Sequence, residues 1–206
     1  MIMPRVIERT VYKFAELSEA AKEKAREYER QTYQSFDWWK WCYQDAITCA
    51  KCLGIETCEE DISFSGFSSQ GDGASFTGYY DFKPDAVIAI TAHAPRDETL
   101  LEIAEELTTL QTHARLVHGV HIHARITRNR SHYVHSNTMN VDTTYIDLDD
   151  VVSEELDQTM TRLMRSFADW IYKQLEDEDT WLNSDECIDE RLSEGDDEFD
   201  EDGSVV

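Results

Sequence analysis

Val120-His-Ile-His-Ala-Arg-Ile-Thr127 alternates apolar and polar residues with a period of two. Val120, Ile122, Ala124 and Ile126 fall on one face and His121, His123, Arg125 and Thr127 on the other, the pattern of a strand buried on one side. Arg128-Asn-Arg130 supplies a turn, and His132 to Tyr145 reads as the returning strand. Just upstream the period is helical: after Pro95-Arg-Asp97, the residues Leu100, Leu101, Ile103, Ala104, Leu107 and Leu110 form one apolar stripe. A helical period followed at once by an antiparallel hairpin predicts the α+β class.

Working outward, Ile62-Ser-Phe-Ser-Gly66 alternates as a strand, Ser68 to Gly73 reads as a turn, and Ala74 to Tyr80 as the returning strand. Phe14 to Gln31 is a helix started by Ser18 and Glu19, with Leu17, Ala21, Ala25 and Tyr28 as its stripe. Ser35-Phe36-Asp37 opens a second helix that stops at Gly54. Pro84 to His93 is read as a short helix, although Val87, Ile88 and Ile90 favour a strand. Asp149 to Glu178 forms a long helix through Leu156, Met160, Leu163, Phe167, Trp170 and Ile171, and Ser184 caps a last short one ending at Gly195. The expectation is two antiparallel β-hairpins in one small sheet, packed with about five helices as a single domain over 1–195. Residues 196–206 are acidic and poor in apolar side chains, so they are expected to be disordered.

Forty-three Asp and Glu against nineteen Lys and Arg give the 206 residues a formal charge of −24. Such a chain repels a phosphate backbone, so direct binding to nucleic acid is excluded. The longest apolar stretch, Ala86 to Ala92, is far too short to span a bilayer, and Met-Ile-Met-Pro-Arg5 lacks a secretory apolar segment. The charge is polarised. From Asp147 onward 22 carboxylates face only Arg162, Arg165, Lys173 and Arg191, whereas Gln111 to Ile146 carries four arginines and Asp142 alone. A dense carboxylate surface imitates nucleic-acid phosphates and is steered into a basic groove. The residues expected to form it are Asp149, Asp150, Glu154, Glu155, Asp157, Glu176, Asp177, Glu178, Asp179, Asp196, Asp197 and Glu198.

A second candidate site joins Ser68, Ser69, Gln70 and Asp72 of the glycine-rich turn, Trp38 and Trp39, and the imidazole- and arginine-bearing face of His121, His123 and Arg125. Glycines let backbone N–H groups approach an anion, and arginine and histidine complement phosphate or carboxylate. His121 and His123 share a strand face as metal ligands do, with His135 or Asp142 as a third donor. Spacing fixes no third ligand, so no metal is assigned. Cys49-x-x-Cys52 is read as core packing, because no second ligand pair lies nearby in sequence. No nucleophile–base set or cofactor motif stands out, so neither an enzyme nor a cofactor is expected.

The stretches that carry a family resemblance are Phe14-Ala-Glu-Leu-Ser-Glu-Ala-Ala-Lys-Glu-Lys-Ala-Arg26, Asp37-Trp-Trp39, Ile62-Ser-Phe-Ser-Gly-Phe-Ser-Ser-Gln-Gly-Asp-Gly-Ala-Ser-Phe76 and Trp170-Ile-Tyr-Lys-Gln-Leu-Glu176. With Ser184-Asp-Glu186 and Glu198-Phe-Asp-Glu-Asp-Gly203, the chain resembles a family of small acidic phage and prophage proteins often labelled "antitoxin of toxin-antitoxin stability system". That resemblance implies a cytoplasmic protein of an infected or lysogenic cell. The expected function is non-catalytic inhibition of a host nuclease or defence enzyme through the acidic surface. Capture of a nucleotide signal and neutralisation of a basic toxin are the alternatives.

Overall fold

The computed structural model describes residues 8–33, 36–129, 133–146 and 154–206. Its α+β architecture agrees with the sequence pattern. Where the sequence suggested one domain over 1–195, the chain divides into two compact units, Trp39–Glu176 and Met1–Trp38 with Asp177–Val206.

The Trp39–Glu176 unit begins with α2 (Lys40–Leu53), which follows α1 (Glu19–Tyr33) in the chain. Tyr43, Ala46, Cys49, Ala50 and Leu53 turn inward, and Gly54 closes the helix. A four-stranded antiparallel sheet has the order β1 (Ile55–Glu56), β4 (Gly78–Tyr80), β5 (His121–Arg128), β6 (Met139–Ile146). The predicted hairpin of β5 and β6 runs in register from His121↔Ile146 to Arg128↔Met139. Ile122, Ala124 and Ile126 are buried, as their alternation required. β2 (Ile62–Phe64) and β3 (Ala74–Phe76) pair by themselves in a second sheet.

The segment read as one returning strand over 74–80 is therefore split between sheets. Gly78 explains the break: its φ is +152°, and a Cβ there would lie 2.1 Å from Glu56 O. Only glycine permits that backbone and that approach of β1. The two-residue β1 carries no periodic signal of its own. The ambiguous segment at 86–93 is helical, α3 (Ala86–His93), and packs on α2 and on α4 (Glu98–His113). Asp97 caps α4, its Oδ1 accepting from Leu100 N at 2.9 Å, while Oδ2 accepts from Trp170 Nε1 at 2.7 Å. α5 (Glu154–Leu182) buries Leu156, Met160, Leu163, Phe167, Trp170 and Ile171, the predicted stripe.

In the other unit, α1 packs with α6 (Asp185–Glu194) around Phe14, Leu17, Ala21, Ala25, Ile188, Leu192 and Phe199. Tyr28, placed on the stripe from sequence, is 51% exposed. Ser184 caps α6 through Cys187 N, as expected. The tail expected to be disordered is instead part of this core. Phe199 is fully buried, 6.3 Å from the Phe14 ring, and exchanges two backbone hydrogen bonds with Tyr12. An aromatic anchor inside an acidic run, with cations of another segment to meet the acids, offsets the ordering entropy. Among the described residues, no helix is long and apolar enough to cross a membrane.

Candidate functional site

The glycine-rich turn is closed on itself. Asp72 Oδ2 accepts from Ser68 N at 3.0 Å and Ser69 N at 2.7 Å, and Gly73 N is met by Ser65 Oγ. The N–H groups expected to cradle an anion thus already hold a carboxylate of the same loop. Gly73 is also pressed against His135, whose Cβ would stand 2.6 Å from any added Cβ. Beside the turn lies an aromatic row: Trp39 against Phe64 at 6.1 Å, Phe64 on Phe67 at 5.7 Å, and Phe67 near Tyr172 at 5.4 Å. Trp39 therefore covers β2, whereas Trp41 is 77% exposed.

His121, His123 and Arg125 do share the outer face of β5. They do not gather a metal set with His135 or Asp142. His123 Nδ1 bonds Asp81 Oδ1, His135 Nδ1 accepts from Asn137 N, and Asp142 lies across from Arg125 in the ladder. Of the predicted ligand residues, Arg125 alone lines a cavity of about 730 Å³, with Asp61, Ser63, Thr77, Tyr79 and Arg128. Asp61 is held below the ordinary carboxylate range by hydrogen bonds from Cys58 and Thr77, with Arg128 adding to the effect.

The twelve predicted carboxylates are shared between the two units and are not equivalent. Asp149 and Asp150 lie outside the described residues. Asp157 accepts from Thr143 and Tyr145, Glu176 pairs with Lys173 at 3.1 Å, and Glu154 accepts from Gln158. Burial raises the pKa of Asp179, which also accepts from Asn183. Glu155, Asp177, Asp196, Asp197 and Glu198 are exposed, and Glu178 is half-buried.

Within the Met1–Trp38 and Asp177–Val206 unit, cations of the N-terminal segment select among the acids. Arg26 forks onto Asp189 at 2.7 and 2.8 Å, Arg30 bonds Asp185, Arg9 bonds Asp200, and Lys24 meets Asp202 at 2.6 Å. Glu186, Glu190 and Glu194 remain exposed at i, i+4 and i+8 on α6, followed by exposed Asp196, Asp197, Glu198 and Glu201. This stripe was missed as a surface, although its spacing stands in the sequence.

A third grouping was not foreseen. Asp45 and Cys49 sit one turn apart on α2, and α3 delivers His93 to them, so that one donor atom of each lies within 4.8 Å of the others. His93 Nε2 is 2.9 Å from Asp45 Oδ1. Cys49 is fully buried, while Asp45 and His93 reach solvent. Burial pushes the Cys49 thiol up to about 12, and Asp45, Cys52 and Asp97 add to the effect. His93 lies 44 positions beyond Cys49, so no local spacing in the sequence links the two.

A family model described as a domain of unknown function (DUF8835) matches residues 38–185, which includes the whole Trp39–Glu176 unit. No curated protein matches the chain, and no solved structure does.

Proposed function

We propose that this chain, which belongs to the DUF8835 family, acts by binding rather than catalysis. Its acidic α6 face and the segment after it occupy the basic, phosphate-binding groove of a host nuclease or defence protein, in keeping with the resemblance to phage proteins. The observation that carries this reading is the set of carboxylates left exposed once Arg9, Lys24, Arg26 and Arg30 have taken their partners. Glu186, Glu190 and Glu194 repeat one helical turn apart. Like charges at that spacing disfavour a helix by about 0.2–0.5 kcal/mol per pair, so helix stability does not account for them. Four residues advance a helix by about 6 Å, close to the roughly 6.8 Å that two nucleotides advance along one DNA strand.

The test begins with the partner recovered by crosslinking from host cells. Replacing Glu186, Glu190 and Glu194 by Gln is expected to raise its Kd about tenfold or more and to flatten the salt dependence. Unchanged affinity and an unchanged salt slope would end this reading. A basic toxin as the recovered partner would select the antitoxin variant of it.

The cavity at Arg125 and Arg128 favours a second reading, capture of a small anionic ligand such as a nucleotide signal. Thermal-shift measurements with cyclic dinucleotides and mononucleotides are expected to show one that raises Tm in the wild type and not in Arg125→Ala. A flat response across the set removes it.

A further inference from the structure

We propose that Asp45, Cys49 and His93 form a site for one divalent cation of the zinc class, which clamps α3 to α2. A thiol sulfur, an imidazole nitrogen and a carboxylate oxygen converge from two helices, the donor mixture that a borderline-soft cation accepts together. Asp45 and Cys49, at i and i+4, present their donors on one helical face, and His93 is the last residue of α3. Metal–ligand bonds of about 2.0–2.3 Å set tetrahedral donor separations of roughly 3.3–3.8 Å. The 2.9 Å between His93 and Asp45, and the 4.8 Å bound on all three, bracket that range, so small rotamer changes suffice.

The site also has an entry path. Cys49 lies at its buried floor, while Asp45 and His93 are 53% and 35% exposed at the rim. On binding, the cation displaces the thiol proton to water and takes one lone pair from each donor, and the fourth position is left to water. An Asp–His ion pair alone has no need of a sulfur beneath it. This inference is independent of the acidic α6 face.

The probe is Co²⁺ added to the reduced, chelator-stripped full chain. One equivalent is expected to produce tetrahedral d–d bands and a sulfur-to-cobalt charge-transfer band, and Zn²⁺ to displace it. Cys49→Ser is expected to abolish the charge-transfer band, and His93→Ala and Asp45→Asn to weaken Co²⁺ binding by more than ~10-fold. Cys58→Ser, at an exposed thiol bonded to Asp61, is expected to change nothing. Zn²⁺ is expected to raise Tm in the wild type and less in His93→Ala. If Cys49→Ser does not fold, the rim variant His93→Ala decides. Absence of the charge-transfer band, its survival in Cys49→Ser, or wild-type affinity in His93→Ala would each overturn the site.

Discussion

Gln111 is 1% exposed, and both ends of its amide are occupied: Nε2 donates to Ile122 O at 2.6 Å and Oε1 accepts from Ile122 N at 3.2 Å. The reason lies in the sheet. β4 ends at Tyr80↔Ala124, so on that side Ile122 has no neighbouring strand, and a side chain from α4 takes its place. Gln111→Leu orphans a buried N–H and a buried C=O and is expected to cost about 2–4 kcal/mol. Urea unfolding measures it, and a loss below ~0.5 kcal/mol would refute the assignment. Asp189 presents a different case. The Arg26 guanidinium holds its carboxyl below the usual range, and Lys24 does the same for Asp202. A carboxylate depressed in the folded state contributes stability that is present above its unfolded pKa, about 3.9, and is lost as pH falls through the folded value. Protection of the α6 amides against hydrogen exchange, taken relative to the intrinsic rate at each pH, should therefore fall below pH ~4. Asp189→Asn is expected to remove part of that dependence and to cost about 0.5–1 kcal/mol at neutral pH, the range for a partly exposed fork. An α6 whose exchange is insensitive to both changes would argue against the pairing.

The segment after α6 shows where element-level reading stopped short. Its acidity was plain, but the cations that meet it, Arg9 ahead of α1 and Lys24 on it, lie more than 170 residues earlier, and no local pattern announces such a pairing. Phe199→Ala opens a cavity against Phe14 and is expected to cost about 3–5 kcal/mol. Gly203→Ala forces a side chain at φ +85° to within 2.0 Å of Ala21 O and is expected to release the segment from α1. Both are checked by proteolysis after Gly195, and a tail already cut rapidly in the wild type would contradict its docking. Elements marked by strong local chemistry were legible: the stops and caps at Gly54 and Ser184, and the alternation of β5. The division of 74–80 between two sheets was not, because the close approach of Glu56 that Gly78 accommodates is tertiary. For the same reason, Asp45 and Cys49 were visible as one helical face while the arrival of His93 was not.

Across the whole molecule, a formal charge of −24 resolves into acids used internally and acids left outside. Arg26, Arg30, Arg9 and Lys24 hold the acids that build the fold, so deleting the tail would confuse loss of charge with loss of core. Charge-neutral, shape-conserving substitutions on α6 avoid that confusion. Tm should change little when Glu186, Glu190 and Glu194 become Gln, since relieving like-charge pairs contributes only tenths of a kcal/mol. A large loss of Tm would assign the stripe to the fold instead. The most direct measurement of the acidic-face account is competition for the recovered partner between this chain and duplex DNA. Wild-type protein is predicted to displace the duplex, and the triple Gln variant to need at least ~10-fold more protein to do so. A variant that displaces DNA as well as the wild type, or a wild type that binds without displacing it, would contradict the account.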